Sequence, residues 1–385
     1  MGDYMEISKE VQSLLDYVTE ARQYLHTIPE IGFDLFKTQE YVMSELEKYN
    51  PDFMRKIAAT GVKAVFLTEG ATETVGFRAD MDALKNNEAS AVSYRSMTDG
   101  KMHGCGHDGH TAILLGLAKL IAENRDKLQC NVVLLFQPGE EGCAGAKRMI
   151  EEGALQAPDI DRIYGLHLWP SVPKGKVGIR WEYLMAQSLD FYMTVKGKST
   201  HASTPQLGID AIVAAAELIN MLQSVITRNV DPHQDALLTL GKIEGGTSHN
   251  VIADFVKIEG TLRVFNPELF EGLTNRIERV MEGLNLATGA EFELHENVNY
   301  PCVYNPRDMV EKFYEILDSQ NDRILVEPVM AAEDFAEYQL KIPGLFFFLG
   351  IKGGKGGAPL HNNQFDFDED ALLYGLEIFK RILEI

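Results

Sequence analysis

Strand-like and helix-like segments alternate in the first 185 residues. Apolar runs at 73–80, 130–136 and 162–167 are typical of buried strands. Helix-like patterns occur at 110–128 and 145–155. Because buried strands that alternate with helices form parallel βα units, we expect an α/β domain in which a mostly parallel sheet is flanked by helices.

The middle of the chain, 186–297, follows a different order of elements. A strand leads to a long helix, two strands follow, and a second helix, from Pro267 to about Thr288, precedes a last strand. The order βαββαβ is that of a ferredoxin-like unit. We therefore expect an inserted domain at 186–297, with 1–185 and 298–385 forming the main domain. The total of 385 residues also exceeds the ~250–300 at which a single core stops growing.

Charge and composition argue against several kinds of partner and location. A formal net charge of -21 repels phosphate backbones, so we expect no nucleic-acid partner. The longest helix-like apolar run, from Thr111, is about half a membrane span and contains Lys119, so no transmembrane segment is expected. The first twenty residues lack the basic start and apolar middle of a signal peptide, and we expect the mature chain to begin here. The 4 cysteines are too scattered for a disulfide framework, which suits the cytoplasm.

The sequence HGCGHDGH at 103–110 places three histidines, a cysteine and an aspartate within eight positions. A metal site, a disulfide, a nucleophile and a plain tight turn are the alternatives for such a cluster. Further candidate ligands lie at or just after the ends of predicted strands: QPGEE at 137–141, His167 as the last residue of its strand and, after LFFFLGI, His361. The carboxyl ends of parallel strands meet at one edge of a sheet. Because buried strand ends rarely carry charge unless something pairs with it, the four segments together favour a metal site.

A structural role is the simpler interpretation for some of these residues. A lone loop histidine is usually structural, and we assign His26, His103 and His110 to that class. A single Cys-Gly-His is a weak zinc signal, because zinc modules usually contain two such pairs. For the paired glutamates after Pro-Gly, a solvated turn is the alternative.

Several longer motifs resemble the M20 metallopeptidase family, in its amidohydrolase branch of N-acyl-L-amino acid and hippurate hydrolases. They are RADMDAL, MHGCGHDGHTA, LLFQPGEEG, GLHLWP, THAS, NVIAD, GTLRVF, EDFA and PLHN. The resemblance implies two divalent metal ions per chain, Zn, Mn, Co or Ni. The metal ligands that it implies are Cys105, His107, Glu141, His167 and His361. It also implies that Glu140 is the general base.

The chemistry of these residues is consistent with that division of roles. Two cations a few ångströms apart need a bridging anion, and the Cys105 thiolate can supply it. Metal ions bring the pKa of water to about 7, and Glu140 would take that water's proton and deliver it to the leaving amine. Asp82 and Asp108 are candidate carboxylates for orienting ligand imidazoles. A strand-end turn and helix capping are the alternatives for these two aspartates.

The resemblance implies that the inserted domain is a lid and the surface of a homodimer. It places His201 at the scissile carbonyl of the substrate, and Asn250 and Arg263 at the substrate carboxylate. Each could instead be a surface or interstrand group, although the planar guanidinium of Arg263 suits a carboxylate better than a lysine would. Where the family's amidohydrolases usually continue RADMDAL with a proline, this chain has Lys85. The identity of the substrate therefore stays open.

We expect a cytoplasmic, metal-dependent amidohydrolase that cleaves the amide bond of N-acyl amino acids, which are small-molecule substrates. Deacetylation of N-acetyl-diaminopimelate, or hydrolysis of a dipeptide or an N-carbamoyl amino acid at the same site, is the alternative. A non-catalytic metal- or ligand-binding relative is a further hypothesis, against which Glu140 argues, because metal binding alone needs no free base. A redox role for Cys105 would need a resolving cysteine, and none lies nearby in the sequence.

Overall fold

The computed structural model describes residues 5–385. Within them the α-helices are Lys9–Gln12 (α1), Leu15–Thr27 (α2), Phe36–Glu47 (α3), His107–Glu123 (α4), Glu140–Cys143 (α5), Gly145–Glu151 (α6), Ala211–Asn229 (α7), Pro267–Thr288 (α8), Arg307–Glu315 (α9), Ala336–Gln339 (α10) and Leu372–Leu383 (α11). The strands are Phe53–Ile57 (β1), Gly61–Phe66 (β2), Thr74–Asp80 (β3), Asn131–Gln137 (β4), Arg162–Pro173 (β5), Val177–Ile179 (β6), Glu182–Met185 (β7), Gln187–Lys196 (β8), Thr200–His201 (β9), Ala236–Gly245 (β10), Val251–Ile252 (β11), Phe255–Val264 (β12), Glu291–Tyr300 (β13), Val303–Asn305 (β14), Arg323–Leu325 (β15) and Gly344–Lys352 (β16).

The chain divides into two compact units. Of the described residues, unit 1 comprises 5–184, together with Val303–Pro328 and Asp334–Ile385. Unit 2 comprises Met185–Cys302 and the short segment Val329–Glu333. This last segment lies outside the insertion that the sequence predicts. It joins unit 2 because the backbone amide of Ala186 donates to the carbonyl oxygens of Val329 and Ala331, at 3.1 and 3.0 Å.

Unit 1 contains an eight-stranded sheet in the order β1-β2-β4-β3-β5-β16-β6-β15. Its central strands β4, β3, β5 and β16 are parallel to their neighbours in this run, while β1 and β2 are antiparallel. Every residue of β3 is buried, as is expected of a strand covered by helices on both faces. The predicted α/β class, with its mostly parallel sheet, is confirmed.

The predicted site segments after β3 and β4 leave the sheet at the carboxyl ends of these parallel strands, whereas His167, predicted at a strand end, lies within β5 because that strand continues to Pro173. Asp80, the last residue of β3, pairs with Gln137, the last residue of β4. His167 lies in β5 and pairs with Phe348 of β16. The register therefore brings the loops that follow β3 and β4 to one edge of the sheet, beside His167.

Helix α4 begins three residues earlier than the apolar periodicity predicts. Its first residue is His107, and Gly106 caps it with φ 90°, a left-handed conformation that glycine adopts without strain. A Cβ at Gly106 would lie 3.1 Å from Leu168 Cδ1, so the close packing of the turn against β5 also requires glycine. His107 and Asp108 consequently lie in the first helical turn rather than in a loop.

Unit 2 is built on a four-stranded antiparallel sheet in the order β10-β12-β8-β13, with α7 and α8 between its strands along the chain. The predicted βαββαβ order is confirmed. Alternate residues of β8, from Leu189 to Val195, are buried with the inward residues of α7 and α8, which is the period of two expected for a strand with one buried face. The single strand predicted from Asn250 onward is divided into β11 and β12.

Helix α7 is the one helix within residues 5–385 that is long and apolar enough to cross a membrane by length and composition. Its side chains Ala214, Leu218 and Leu222 are fully or almost fully buried in the core of unit 2. A helix that packs a folded core passes the same test of length and composition.

Candidate active site

Cys105 and His167 form one side of the candidate site. Cys105 Sγ, in the turn before α4, lies 3.4 Å from His167 Nε2. His167 Nδ1 lies 2.8 Å from the carbonyl oxygen of Leu168, so Nδ1 carries the proton and donates it, and the lone pair of Nε2 faces Cys105. Burial, reinforced by His110, lowers the pKa of His167 well below its usual value. The imidazole is therefore neutral, which is the form that binds metal ions.

His107 lies between two pairs of carboxylates. Its Nε2 is 4.0 Å from Glu140 Oε2 and 4.0 Å from Glu141 Oε1. Its Nδ1 is 3.7 Å from Asp82 Oδ1 and 3.8 Å from Asp80 Oδ1. Burial alone would lower the pKa of His107, but Asp80 and Asp82 outweigh it and raise the pKa to about 10. The carboxylates on both sides of the ring therefore favour a positive charge at this position.

Glu141 and His361 form the other side. His361 Nε2 lies 3.3 Å from Glu141 Oε1. The His361 side chain is exposed, but its backbone is fixed at two points. Its amide donates to the carbonyl oxygen of Gly104 at 2.7 Å, and Asn86 Nδ2 donates to its carbonyl oxygen at 3.0 Å. The loop that carries His361 is therefore attached to the turn that carries Cys105.

The five predicted ligands fall into two groups that share Cys105. Cys105, His107 and His167 form one group, and Cys105, Glu141 and His361 form the other, with the ligand atoms of each group within 4.8 Å of one another. As a thiolate, Cys105 could therefore serve two adjacent cations, which need a bridging anion between them.

Two of these residues, His107 and Cys105, are suited to binding such cations. Neither ring nitrogen of the fully buried His107 has a hydrogen-bond partner within residues 5–385, whereas buried polar atoms are normally paired. Burial, together with Glu141 and Glu140, raises the pKa of the Cys105 thiol well above its usual value. A cation would give one ring nitrogen of a neutral His107 a partner, and it would stabilise the Cys105 thiolate.

Asp82 holds the backbone of the two glutamates. Its Oδ1 accepts a hydrogen bond from the Glu140 amide at 3.0 Å, and its Oδ2 accepts one from the Glu141 amide at 3.1 Å. The same carboxylate faces His107 Nδ1 at 3.7 Å. Asp82 thus fixes the turn that carries Glu140 and Glu141, and its role in orienting a ligand imidazole stays a prediction.

The hydrogen-bond partners of Asp108 are not the ligand imidazoles that it was predicted to orient. It accepts hydrogen bonds from Arg22 Nε at 3.0 Å and from His26 Nδ1 at 2.7 Å, and neither is a predicted metal ligand. One residue along a helix is a rotation of about 100°, so Asp108 points away from the side that His107 faces. Its prediction as a carboxylate that orients a ligand imidazole does not fit this geometry.

The sequence did not lead us to predict a role for two buried residues at the site, Arg78 and Asp334. Arg78 Nη1 contacts Asp80 Oδ2 at 2.6 Å, and its Nη2 contacts Asp334 Oδ1 at 2.8 Å. Asp80 in turn accepts from His110 Nδ1 at 2.6 Å, and His110 Nε2 accepts from the Leu168 amide at 2.9 Å. A charged residue inside the apolar run of β3 was the available signal for Arg78, because arginine is almost never fully buried without a partner.

The three predicted substrate-binding residues all belong to unit 2. His201 is exposed, and its Nδ1 lies 2.7 Å from Ser203 Oγ. Asn250 is exposed, and its Oδ1 accepts from Ser248 Oγ at 2.8 Å. Arg263 Nη1 donates to the carbonyl oxygen of Met330 at 3.3 Å, and its Nη2 lies 3.6 Å from Asp190 Oδ1.

Comparison with known proteins identifies the family. Residues 76–385 match Peptidase family M20/M25/M40. N-acetyldiaminopimelate deacetylase from Bacillus cytotoxicus is 36% identical over 99% of this chain and 98% of its own length. IAA-amino acid hydrolase ILR1-like 4 from Arabidopsis thaliana is 36% identical over 94% of this chain and 84% of its own length.

Solved structures agree with this assignment. A protein described as an aminohydrolase, from methicillin-resistant Staphylococcus aureus, superposes with a TM-score of 0.90 at 33% identity, over 98% of each chain. A dinuclear metal-binding peptidase of the M20 family from Bacillus subtilis superposes with a TM-score of 0.81 at 31% identity, over 97% of this chain and 99% of its own. The chain is therefore a member of peptidase family M20/M25/M40 and a hydrolase of amide bonds.

Proposed function

We propose that this protein is a two-metal amidohydrolase that cleaves the amide bond of N-acyl amino acids, releasing an acyl carboxylate and a free amino acid. The observation that carries the proposal is the pair of ligand groups that share Cys105. The relatives named above support the substrate class, since the names of both describe the release of an amino acid from a conjugate.

Cys105, His107 and His167 would hold one ion, and Cys105, Glu141 and His361 the other. When bound, such ions lower the pKa of water to about 7 and polarise a carbonyl group. The neutral imidazole of His167 is already in its ligand form, whereas His107 and Cys105 must each give up a proton to become ligands. Thiolate and imidazole ligands suit zinc, but Mn, Co and Ni are the other candidates.

Glu140 would be the general base. Glu141, its neighbour, faces His361 and Cys105, which leaves Glu140 for proton transfer. Glu140 would accept a proton from the attacking water and return it to the amine nitrogen as the C–N bond breaks. Asp82 supports this role, because it holds the amides of both glutamates in one orientation.

Unit 2 would act as a lid and as the surface of a homodimer. It has a core of its own, and exposed apolar side chains lie on α7 and on β10, an edge strand of its sheet; they are Ile212, Val213, Met221, Leu237 and Ile243. Exposed apolar groups along an unpaired edge favour pairing with another chain. In this proposal His201 polarises the scissile carbonyl, and Asn250 and Arg263 bind the substrate carboxylate. Light scattering on the purified protein would measure the oligomeric state.

The location would be the cytoplasm. The four cysteines, Cys105, Cys130, Cys143 and Cys302, are all free, and free thiols persist in a reducing compartment.

The experiment that tests the function is a substrate panel. The purified protein, loaded in turn with Zn, Mn, Co or Ni, is assayed with N-acetyl and longer N-acyl amino acids, N-acetyl-diaminopimelate, N-carbamoyl amino acids and dipeptides. We expect turnover of N-acyl amino acids that stops when a chelator removes the ions. If two ions bind and no compound of the panel is hydrolysed, the protein is a metal-binding relative without this activity, and the proposal is wrong.

A further inference from the structure

A fully buried carboxylate, Asp334, has no part in the proposed chemistry. Its Oδ1 accepts from Arg78 Nη2 at 2.8 Å and from Gln137 Nε2 at 2.7 Å. Its Oδ2 accepts from the Ala146 amide at 2.8 Å and from Gln137 Nε2 at 2.9 Å. Gln137 and Ala146 are the residues immediately before and after the loop 138–145, which carries Glu140 and Glu141. Asp334 therefore ties the two ends of this loop together.

The loop itself has little regular structure to fix it. Glu141 and Gly142 depart from helical dihedral angles inside α5, and Ala144 has φ 55°. The loop closes where the Gly145 amide donates to the Gly139 carbonyl oxygen at 3.0 Å. A Cβ at Gly145 would lie 1.7 Å from the Pro138 carbonyl oxygen, so the closure requires glycine.

The bond to Ala146 is one that the helix cannot supply. Ala146 is the second residue of α6, and the first four amides of a helix have no partner inside it. No side-chain cap is formed by Ala144, the residue before the helix. Asp334 satisfies the Ala146 amide from a distant part of the chain, while Asp82 satisfies the amides of Glu140 and Glu141 in the middle of the loop. The loop is thus held at its two ends and at its centre.

We propose that Asp334 is a positioning residue for Glu140, acting through the two ends of the loop 138–145. The inference rests on the proposed function, because it takes Glu140 as the base and Glu141 as a metal ligand. Bound ions would hold Glu141 in place as well, but not Glu140, because Glu140 is not among the proposed ligands. Loss of Asp334 therefore impairs proton transfer more than metal binding.

Asp334→Asn tests this, because it keeps the size of the side chain and one carbonyl oxygen but removes the charge and one acceptor. We expect kcat to fall by roughly 10- to 100-fold, with KM close to that of the wild type and two ions per chain retained. Glu377→Gln is the matched control. Glu377 is also buried and accepts from an arginine, Arg381 Nε at 2.9 Å, and from a backbone amide, Ser8 at 3.0 Å.

Neither of these bonds of Glu377 involves the loop 138–145, so Glu377→Gln should keep the wild-type kcat. The proposal is overturned if Asp334→Asn keeps the wild-type kcat, if it loses its ions in step with kcat, or if Glu377→Gln loses as much kcat. Each of these results would remove the specific link between Asp334 and Glu140.

Hydrogen exchange gives a test that needs neither substrate nor metal. In the metal-free wild type, the amides of Glu140, Glu141 and Ala146 should exchange more slowly than those of the exposed residues 353–355, because Asp82 and Asp334 hold them. Asp334→Asn should speed exchange at 138–146, and Glu377→Gln should not.

Exchange in the wild type as fast as at 353–355 refutes the proposal, whether or not the chain hydrolyses N-acyl amino acids. Slow exchange that Asp334→Asn accelerates supports it even if the substrate panel fails, in which case only the proposed function is wrong.

Discussion

Glu140→Gln should abolish most of the activity and leave the metal content intact. The amide has nearly the volume of the carboxylate but cannot accept a proton at neutral pH. Glu141 Oε1, 3.3 Å from His361 Nε2, belongs to a ligand group with Cys105. The Asp82 bond to Glu140 uses the backbone amide at 3.0 Å, so the substitution leaves that anchor in place. A lost general base costs about 10²- to 10⁴-fold in rate, which is about 2.7–5.4 kcal/mol of transition-state stabilisation.

The assay combines metal analysis of the gel-filtered protein with steady-state hydrolysis of an N-acyl amino acid. Glu141→Gln is the control, since it removes a carboxylate that faces His361, and it should lower metal content as well as activity. The assignment of Glu140 as a base and not a ligand is refuted if Glu140→Gln loses its ions as readily as Glu141→Gln does. Glu140 would then be a ligand, and the division of roles between the neighbouring glutamates would be wrong.

Two further predictions concern substrate recognition and pH. Arg263→Ala should lower kcat/KM for an N-acyl amino acid by roughly 10- to 150-fold, the value of a charged hydrogen bond, with little effect on the matching carboxamide; Arg263→Lys should recover only part. If wild type and Arg263→Ala discriminate equally between the two compounds, Arg263 is structural. Burial lowers the pKa of Lys63 in the folded protein from 10.5 to about 8. Between these pH values the unfolded chain binds more protons than the folded protein, so the folded protein gains stability as the pH rises. The stability cost of burying Lys63 is therefore complete below pH 8 and disappears as the pH rises to 10.5. Urea unfolding of the metal-free proteins should therefore favour wild type over Lys63→Met increasingly above pH 8, and a pH-independent difference would contradict this.

The elements that the sequence predicts best are those whose ends are set by local contacts. Helix α8 begins at Pro267 because Asn266 Oδ1 accepts from the amides of Glu268 and Leu269. It ends at Thr288 because Gly289 adopts φ 74°. A proline at the first helical position and a glycine after the last are visible in the sequence, and both boundaries were predicted.

The start of α4 was not predicted, because it depends on a distant residue. Apolar periodicity begins at about His110, whereas the helix starts at His107, where Gly106 packs against Leu168 of β5. Segment Val329–Glu333 was likewise assigned to the main domain, since its place in unit 2 depends on hydrogen bonds from the distant residues Ala186 and Arg263. Contacts between residues far apart in sequence produce no periodic pattern in the sequence near the element, so the sequence does not predict them.

For the candidate site, the sequence predicts which loops carry the candidate ligands. Strand ends rich in Cys, His and Glu indicated the edge of the sheet at which the five predicted ligands lie close together. The partners of each carboxylate were not predictable, because aspartates at strand ends and helix starts look alike in sequence. Asp82 faces the amides of the glutamates, Asp108 faces Arg22, and Asp334 reaches Gln137 and Ala146.

Titration of the metal-free protein with Co²⁺, followed by the cobalt–thiolate absorption, tests whether the Cys105 thiolate serves two ions. We expect the absorption to change through the first and the second equivalent per chain, and hydrolysis of an N-acyl amino acid to reach its full rate at two. Cys105→Ala should lose the absorption and bind both ions more weakly. An absorption that is complete at one equivalent, or a Cys105→Ala variant that binds two ions as tightly as the wild type, would contradict a shared Cys105.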